Sequence, residues 1–456
     1  MKDTSSLTDN FVKEILQSKF SEFPGHVLAK AKECLLDYLG VAFSGAKIQK
    51  EKELQITHFV ECVDGCHVIG TPKPVPMNMA ALLNGISAHV IELDDGHRIG
   101  MLHLGAPIIS ALLAVAEKEK ISSNAFIRGI VVGYEVAIRL ACCVQPGHKL
   151  KGYHATGTCG TVGAAMGVAA ALYFDEGQMK STLSAAATSA AGLLEMIEGD
   201  TEMKPYNAGR AAMDGLTAAY LGMARFKAPD DALGGNRGFL KVMTDELKLD
   251  YLTDFSGDKY MIEGIYLKPY AACRHCHPSI EAALHIRQQE GFDLSKVEEI
   301  QVNTYKLAVS GHNHTDIIGV NSAKMSIPYS LAVALITGRA GLDEYTDEYI
   351  SNNEILSVTE KVKVSAVDGL TELCPQKRVA IVTVKTSNGD YYDQVDYPKG
   401  EPENPLSQEE LEEKFRGLAM YGGLAKEECD EVIAEIAKED FSLSNIMRFV
   451  SKSTRN

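Results

Sequence analysis

The sequence predicts a mainly α protein: a large all-helical domain plus a smaller α+β domain. Three observations carry this. Apolar residues recur at helical spacing through roughly the first 265 residues of the 456-residue chain. Between 296 and 397 the pattern switches to the period-two alternation of strands, with an Asn-Gly turn inside it. Beyond residue 400 the helical spacing returns.

In chain order, the spacing predicts helices over Phe11 to Phe20 and Val27 to Leu39. The Pro-rich TPKPVP then leads into a helix over Ala80 to Leu93. Further helices are expected over Ile108 to Lys120, Ser123 to Val144, Gly160 to Tyr173, Gln178 to Ile197 and Ala208 to Ala224. Several are rich in Ala and Gly, as in GTVGAAMGVAAA (160–171), which lets helix backbones approach closely. Strands are expected at 296–305, 361–367, 378–387 and 391–397, the last two joined at Asn388-Gly389. Helices over Pro278 to Glu290 and Met325 to Gly338 accompany them. KGEPENPLS (399–407) reads as a linker, and Ser407 with Glu410 is a capping box that opens a helix. Lys426 to Ala437 and the tail are again helical. The expected domains are 1–265, joined by C-terminal helices at 401–456, and an α+β domain at 266–400.

The chain has 61 acidic and 45 basic residues, a formal charge of -16. That argues against nucleic acid or an anionic membrane as partner, but not against a small anion held in a locally basic site. The first twenty residues lack the basic region and apolar core of a signal peptide, and no apolar run reaches the ~20 residues of a spanning helix. A cytoplasmic protein is expected, and its ten cysteines are read as free thiols.

Five stretches concentrate chemistry. HVIELDDGHRIGMLHLGAP (89–107) holds His89, Glu92, Asp94, Asp95, His97 and His103. His103 lies just before an apolar helix, whose N-terminus is a natural anion site. GYHATGTCGTVGAA carries His154 ahead of a Gly-rich helix entry, without the phosphate-loop pattern. KPYNAGRAAMDG places Lys204 before Pro205 at a helix start. KPYAACRHCHPSIEAA brings Lys268, Cys273, Arg274, His275, Cys276 and His277 together. Four candidate zinc ligands within five residues cannot converge on one ion, so this is read as a basic loop entering a helix at Pro278. In MSIPYSLAVAL, Tyr329 sits in an apolar helix with a hydroxyl that needs a partner.

These stretches, in this order, resemble the MmgE/PrpD family. NGISAHVIELDDGHRIGMLH matches its NGxxxH…DD…H segment, and HATGTCGTVGAA, KPYNAGRAAMDG, KPYAACRHCHP and MSIPY match four further motifs. The resemblance spans roughly residues 10 to 440. It implies a helical domain with a smaller α+β lid domain, commonly a homodimer, and no metal or organic cofactor. It implies the activity class of 2-methylcitrate dehydratases, cis-aconitate decarboxylases and an iminodisuccinate epimerase. Residue by residue it points to Glu92, His103, His154, Lys204, Lys268, His277 and Tyr329. Glu92 stands where the family usually has aspartate, Gly96-His97 follows the acidic pair, and Leu104 to Pro107 follow His103.

The shared chemistry is proton movement at a carbon beside a carboxylate. Cationic groups must offset the charge that builds there, and Lys204, Lys268 and Arg274 supply them. His103 and His154 are the expected acid–base pair, in either order, oriented by Glu92, Asp94 or Asp95. Catalysis is assigned to His103, His154, Glu92, Lys204, Lys268 and Tyr329. Substrate binding is assigned to Asp94, Asp95, His97, Cys273, Arg274 and His277. The expectation is a cofactor-independent lyase, a dehydratase first, of a small di- or tricarboxylate. A decarboxylase or epimerase using the same groups is the nearest alternative. A metal enzyme built on the cysteine–histidine loop or the His89–His103 cluster, or a non-catalytic scaffold, is more remote.

Overall fold

The computed structural model describes residues 6–452, apart from 18, 19, 21, 61, 198–200 and 257. It is mainly α, as the periodicity predicts, and divides into two compact units. One comprises the described residues within 1–196, 203–265 and 407–456; the other comprises those within 197–202 and 266–406.

The first unit is helical. Helix α1 spans Leu7–Ile15, opening four residues before the predicted start because Ser6 and Asp9 form a capping box. Residues 18 and 19 of the expected helix lie outside the described residues. Helix α2, Gly25–Val60, runs well past Leu39. Gly40 to Ala46 are buried on all sides, and beyond them the buried line is polar (Gln49, Glu53, Thr57), so the one-sided apolar pattern that marks a surface helix disappears while the helix continues. Then come α3 (Met77–His89), α4 (Gly105–Glu119), α5 (Ser123–Val144), α6 (Ala155–Ala171), α7 (Glu176–Ser189) and α8 (Lys204–Met223).

Helix α7 stops at Ser189 instead of running to Ile197. The Arg210 guanidinium collects the carbonyls of Ser189, Ala191 and Gly157, and Gly192 turns the chain at φ 143°. Every residue of α6 is buried, and no helix among the described residues is long and apolar enough to cross a membrane. The α3–α8 crossing is close-fitting. A Cβ on Gly209 would lie 2.2 Å from the Leu82 carbonyl oxygen, and one on Gly85 2.7 Å from the Gly209 Cα. Only glycines allow this approach, and it sets the end of α3 beside the start of α8.

In the second unit, α9 (His277–Arg287) precedes strand β1 (Val297–Thr304), and α10 (Ile327–Thr337) precedes β2 (Val362–Ala366), β3 (Ala380–Thr386) and β4 (Gly389–Val395). The sheet order is β2-β1-β3-β4. β1 pairs parallel with β2 and antiparallel with β3, Val302 lying opposite both Val364 and Val382. The hairpin turn falls on Ser387 and Asn388, one residue earlier than predicted. Gly389 already pairs with Thr386, and the positive φ falls on it. The C-terminal helices α11 (Gln408–Tyr421), α12 (Lys426–Ala437) and α13 (Leu443–Val450) belong to the first unit. The Ser407–Glu410 capping box is present. All ten cysteines are free.

Candidate active site

The loop after α3 gathers most of the polar groups. It leaves the helix at Val90, and Glu92 adopts φ 59°, a left-handed conformation costly for a residue with a Cβ. That turn sends the Glu92 carboxylate to an ion pair with the Lys204 ammonium on the first residue of α8. The next carboxylate, Asp94, is shared by two imidazoles. Its Oδ2 lies 2.7 Å from His89 Nδ1 and 3.1 Å from His103 Nδ1. Burial pushes the Asp94 carboxyl up, but the His103 and His89 rings more than offset it and hold it well below the usual carboxylate range. Asp94 is therefore ionised, and it orients histidines; substrate would have to compete with both rings for it.

Asp95 has a different task. Its Oδ1 accepts from the backbone N–H groups of Leu104 (3.1 Å) and Gly105 (3.0 Å), and its Oδ2 accepts from the Tyr134 hydroxyl at 2.6 Å. The helix N-terminus beside His103, predicted as an anion site, is thus filled by the protein's own carboxylate, and Asp95 caps it. Burial pushes its carboxyl up to about 6, against the hydrogen bonds from Tyr134 and Gly105. His97 also shapes the loop. Its Nδ1 accepts from the Gly100 N–H at 3.1 Å and closes the tight turn between His97 and Leu102.

Three imidazoles form a cluster. The His89 ring lies 4.7 Å from that of His103, edge to face, and 6.0 Å from that of His154, nearly parallel. Their hydrogen bonds fix the tautomers. His103 Nδ1 faces two acceptors, the Asp95 carbonyl at 2.6 Å and Asp94, so it carries a proton and leaves Nε2 as the basic nitrogen of the neutral ring. The His103 backbone N–H donates to Thr156 in α6, tying this loop to the one that carries His154.

His154, the residue preceding α6, is wired the other way. Its Nδ1 accepts from the Asn207 side-chain amide at 3.2 Å. The same Asn207 nitrogen donates to the Leu193 carbonyl at 3.3 Å, which identifies it as the NH₂ and not the oxygen. Nδ1 is thus an acceptor, and the ring proton sits on Nε2. Burial holds the His154 imidazole well below the ordinary histidine value, helped by His89, Lys204 and His103 and opposed by Glu92. A neutral donor, His154, and a ring with a basic Nε2, His103, therefore stand in one cluster with a lysine.

His89, Asp94 and His103 are also the one grouping among the described residues whose ligand atoms, within 4.8 Å of one another, fit a metal ion. Both Nδ1 atoms point at an acceptor oxygen, an arrangement suited to protons; a cation would need both protons removed.

In the second unit the KPYAACRHCHP stretch turns to structural partners. Arg274 spends all five N–H groups: two on Glu401 Oε1 (3.2 and 3.0 Å), two on the carbonyls of Lys399 and Pro398, and one on His277 Nδ1 at 2.7 Å. It therefore pins the loop before α11. His277 accepts from Arg274 and donates from Nε2 to the Ala272 carbonyl at 3.1 Å. Burial, with Arg274 and Lys268 nearby, holds it well below the ordinary histidine value. Both ring nitrogens are thus engaged within the second unit. Cys273 Sγ lies 3.2 Å from His312 Nε2, and His275 Nδ1 lies 2.6 Å from the Tyr305 hydroxyl. Cys276 Sγ lies 4.0 Å from the Lys324 carbonyl oxygen, and the His275 ring also packs against that of His312. Lys268 is buried.

Tyr329 is fully buried and its hydroxyl donates to the Glu344 carbonyl at 2.9 Å. The partner that its hydroxyl needs is main chain. The sequence reading left His89 and Asn207 out of the site. The five-residue step from His89 to Asp94 across a helix end was the available signal for the first. Nothing in the sequence marks Asn207, because its role depends on a contact 53 residues away.

This fold and this cluster bring three imidazoles, a buried carboxylate and a lysine together within an α-helical scaffold. The sequence matches the MmgE/PrpD N-terminal domain over residues 9–252 and the MmgE/PrpD C-terminal domain over residues 270–439, and the chain belongs to the MmgE/PrpD family. It is similar to a cis-aconitate decarboxylase-like protein of Aspergillus oryzae, 27% identical over 441 residues, covering 90% of this chain and 89% of the relative. It is also similar to the cis-aconitate decarboxylases of Aspergillus terreus (26% identical, covering 87% and 86%) and Homo sapiens (24% identical, covering 91% and 88%). The chain is an enzyme.

Proposed function

We propose that this enzyme is a cofactor-independent lyase that moves a proton beside a carboxylate of a small di- or tricarboxylate and expels water from the neighbouring carbon. The observation that carries the reading is the opposite wiring of the two histidines. His103, with Nδ1 held by oxygen acceptors, offers Nε2 as a base. His154, with Nδ1 held by Asn207, offers an Nε2–H donor. In the proposed step His103 Nε2 takes the proton from the carbon. Charge moves into the adjacent carboxylate, where the Lys204 ammonium and the His154 N–H meet it. The leaving hydroxyl then takes the proton held on His103 and departs as water. Ionised Asp94 stabilises the charged form of His103 meanwhile.

Decarboxylation is the second reading, favoured by the names of the relatives. There a protonated imidazole gives its proton to carbon, the electron pair of the breaking C–C bond stays on the carbon skeleton, and carbon dioxide leaves. Incubation with a panel of citrate-like, malate-like and aconitate-like acids separates the two. Water loss appears as ultraviolet absorbance of a conjugated alkene, decarboxylation as released carbon dioxide. Turnover that requires added metal, or deuterium exchange without either product, would overturn the proposal.

A further inference from the structure

We infer that Lys414, on helix α11, is a positioning residue for the loop that carries Asp94. The inference rests on the acid–base reading of that loop. Lys414 is separated from it by more than three hundred residues. Its ammonium nevertheless donates to the Leu93 carbonyl at 2.8 Å and forms an ion pair with Asp37 of α2. The Leu93 peptide lies between the left-handed Glu92 and Asp94. Holding that carbonyl fixes the peptide plane from which Asp94 projects toward His89 and His103.

The anchor itself is rigid. Helix α11 lies along α2, with the Ser44 hydroxyl donating to the Leu418 carbonyl at 2.7 Å and Phe415 against Gly40. Asp37 is buried, and its Oδ2 has no hydrogen-bond partner among the described residues. Lys414 therefore has two possible duties, as counter-ion to Asp37 and as clamp on Leu93. A counter-ion becomes dispensable once Asp37 is neutral; a clamp does not.

The double variant Asp37→Asn/Lys414→Met separates them. Full-length wild type, Lys414→Met, Lys414→Arg, Asp37→Asn and the double variant are compared by melting temperature, by amide hydrogen exchange over residues 93–104, and by kcat and KM. A clamp predicts that Lys414→Met speeds exchange in that loop about tenfold or more and lowers kcat at least as much, with KM within threefold. Lys414→Arg should recover part of both. The double variant should regain the melting temperature of Asp37→Asn while its loop exchange stays fast and its kcat low. Recovery of slow exchange in the double variant, or unchanged exchange in Lys414→Met, would overturn the inference. Absence of turnover in the wild type would count against the lyase reading alone, because the exchange measurement needs no substrate.

Discussion

Asparagine 207 selects the tautomer of His154, and Asn207→Asp reverses the selection at almost constant volume. The amide N–H now donates to His154 Nδ1 at 3.2 Å. A carboxylate there can only accept, so it demands a proton on Nδ1 and strips the donor from Nε2. The electrostatics act in the same direction. At that separation and an effective dielectric near 20, a carboxylate and an imidazolium attract by about 5 kcal/mol. Desolvating the new carboxylate in a buried position consumes part of this. The His154 pKa therefore rises, against the wild-type depression by burial and cationic neighbours. Loss of one preorganised donor to a developing oxyanion typically costs about 10²–10³ in turnover. Asn207→Leu removes the hydrogen bond without imposing the opposite tautomer and should cost less. Nitrogen-15 spectra of histidine-labelled protein read the tautomer directly, without substrate. The expected change is a protonated Nε2 in the wild type and a protonated Nδ1 in Asn207→Asp. An unchanged His154 tautomer, or turnover within threefold of wild type, would refute the reasoning.

Glu53 on α2 is buried against the Ser87 hydroxyl, and burial pushes its carboxyl up to about 8. Its folded pKa thus exceeds the ordinary 4.5, so its contribution is intact below about 4.5 and is lost as pH rises through about 8. Glu53→Gln should leave the melting temperature unchanged near pH 4.5 and raise it at pH 8.5, by an amount worth up to roughly 4–5 kcal/mol; equal melting at both pH values would contradict this. Arg274→Leu strands the buried Glu401 carboxylate and should cost about 3–5 kcal/mol, read as early loss of exchange protection within residues 266–406. Unaltered protection would mean that the pair is not what holds the 398–401 loop. Tyr329→Phe removes one buried hydrogen bond, so stability should fall by about 1 kcal/mol while turnover stays within twofold. A large drop in kcat would return the hydroxyl to the chemistry.

Local chemistry made much of this chain legible. The spacing located α5 and α12 to the residue: Ser122 caps the first and Pro146 follows it, and acidic residues open the second. It could not follow α2 beyond Leu39, because the helix is first buried all round and then buries Gln49, Glu53 and Thr57, which leave no apolar face to read. The crowded DD loop was visible as a candidate site, yet its two aspartates look interchangeable in sequence. One is ionised between imidazoles and the other caps α4, a difference created by Tyr134 and two backbone N–H groups. Arg274 and His277 look like anion binders for the same reason: a sequence shows the donors but not the Glu401 and carbonyl groups that consume them.

By itself, then, the sequence determined the helical class, the change to strands in the second part, the family, and the histidines and Lys204 that the fold gathers into the candidate site. These follow from side-chain type and spacing, which act over a few residues. The tertiary structure alone decided which nitrogen of each histidine carries its proton, which carboxylate is ionised, and which cations are already spent. Those properties belong to pairs such as His154 with Asn207 and Leu93 with Lys414, whose members meet only when the core has packed.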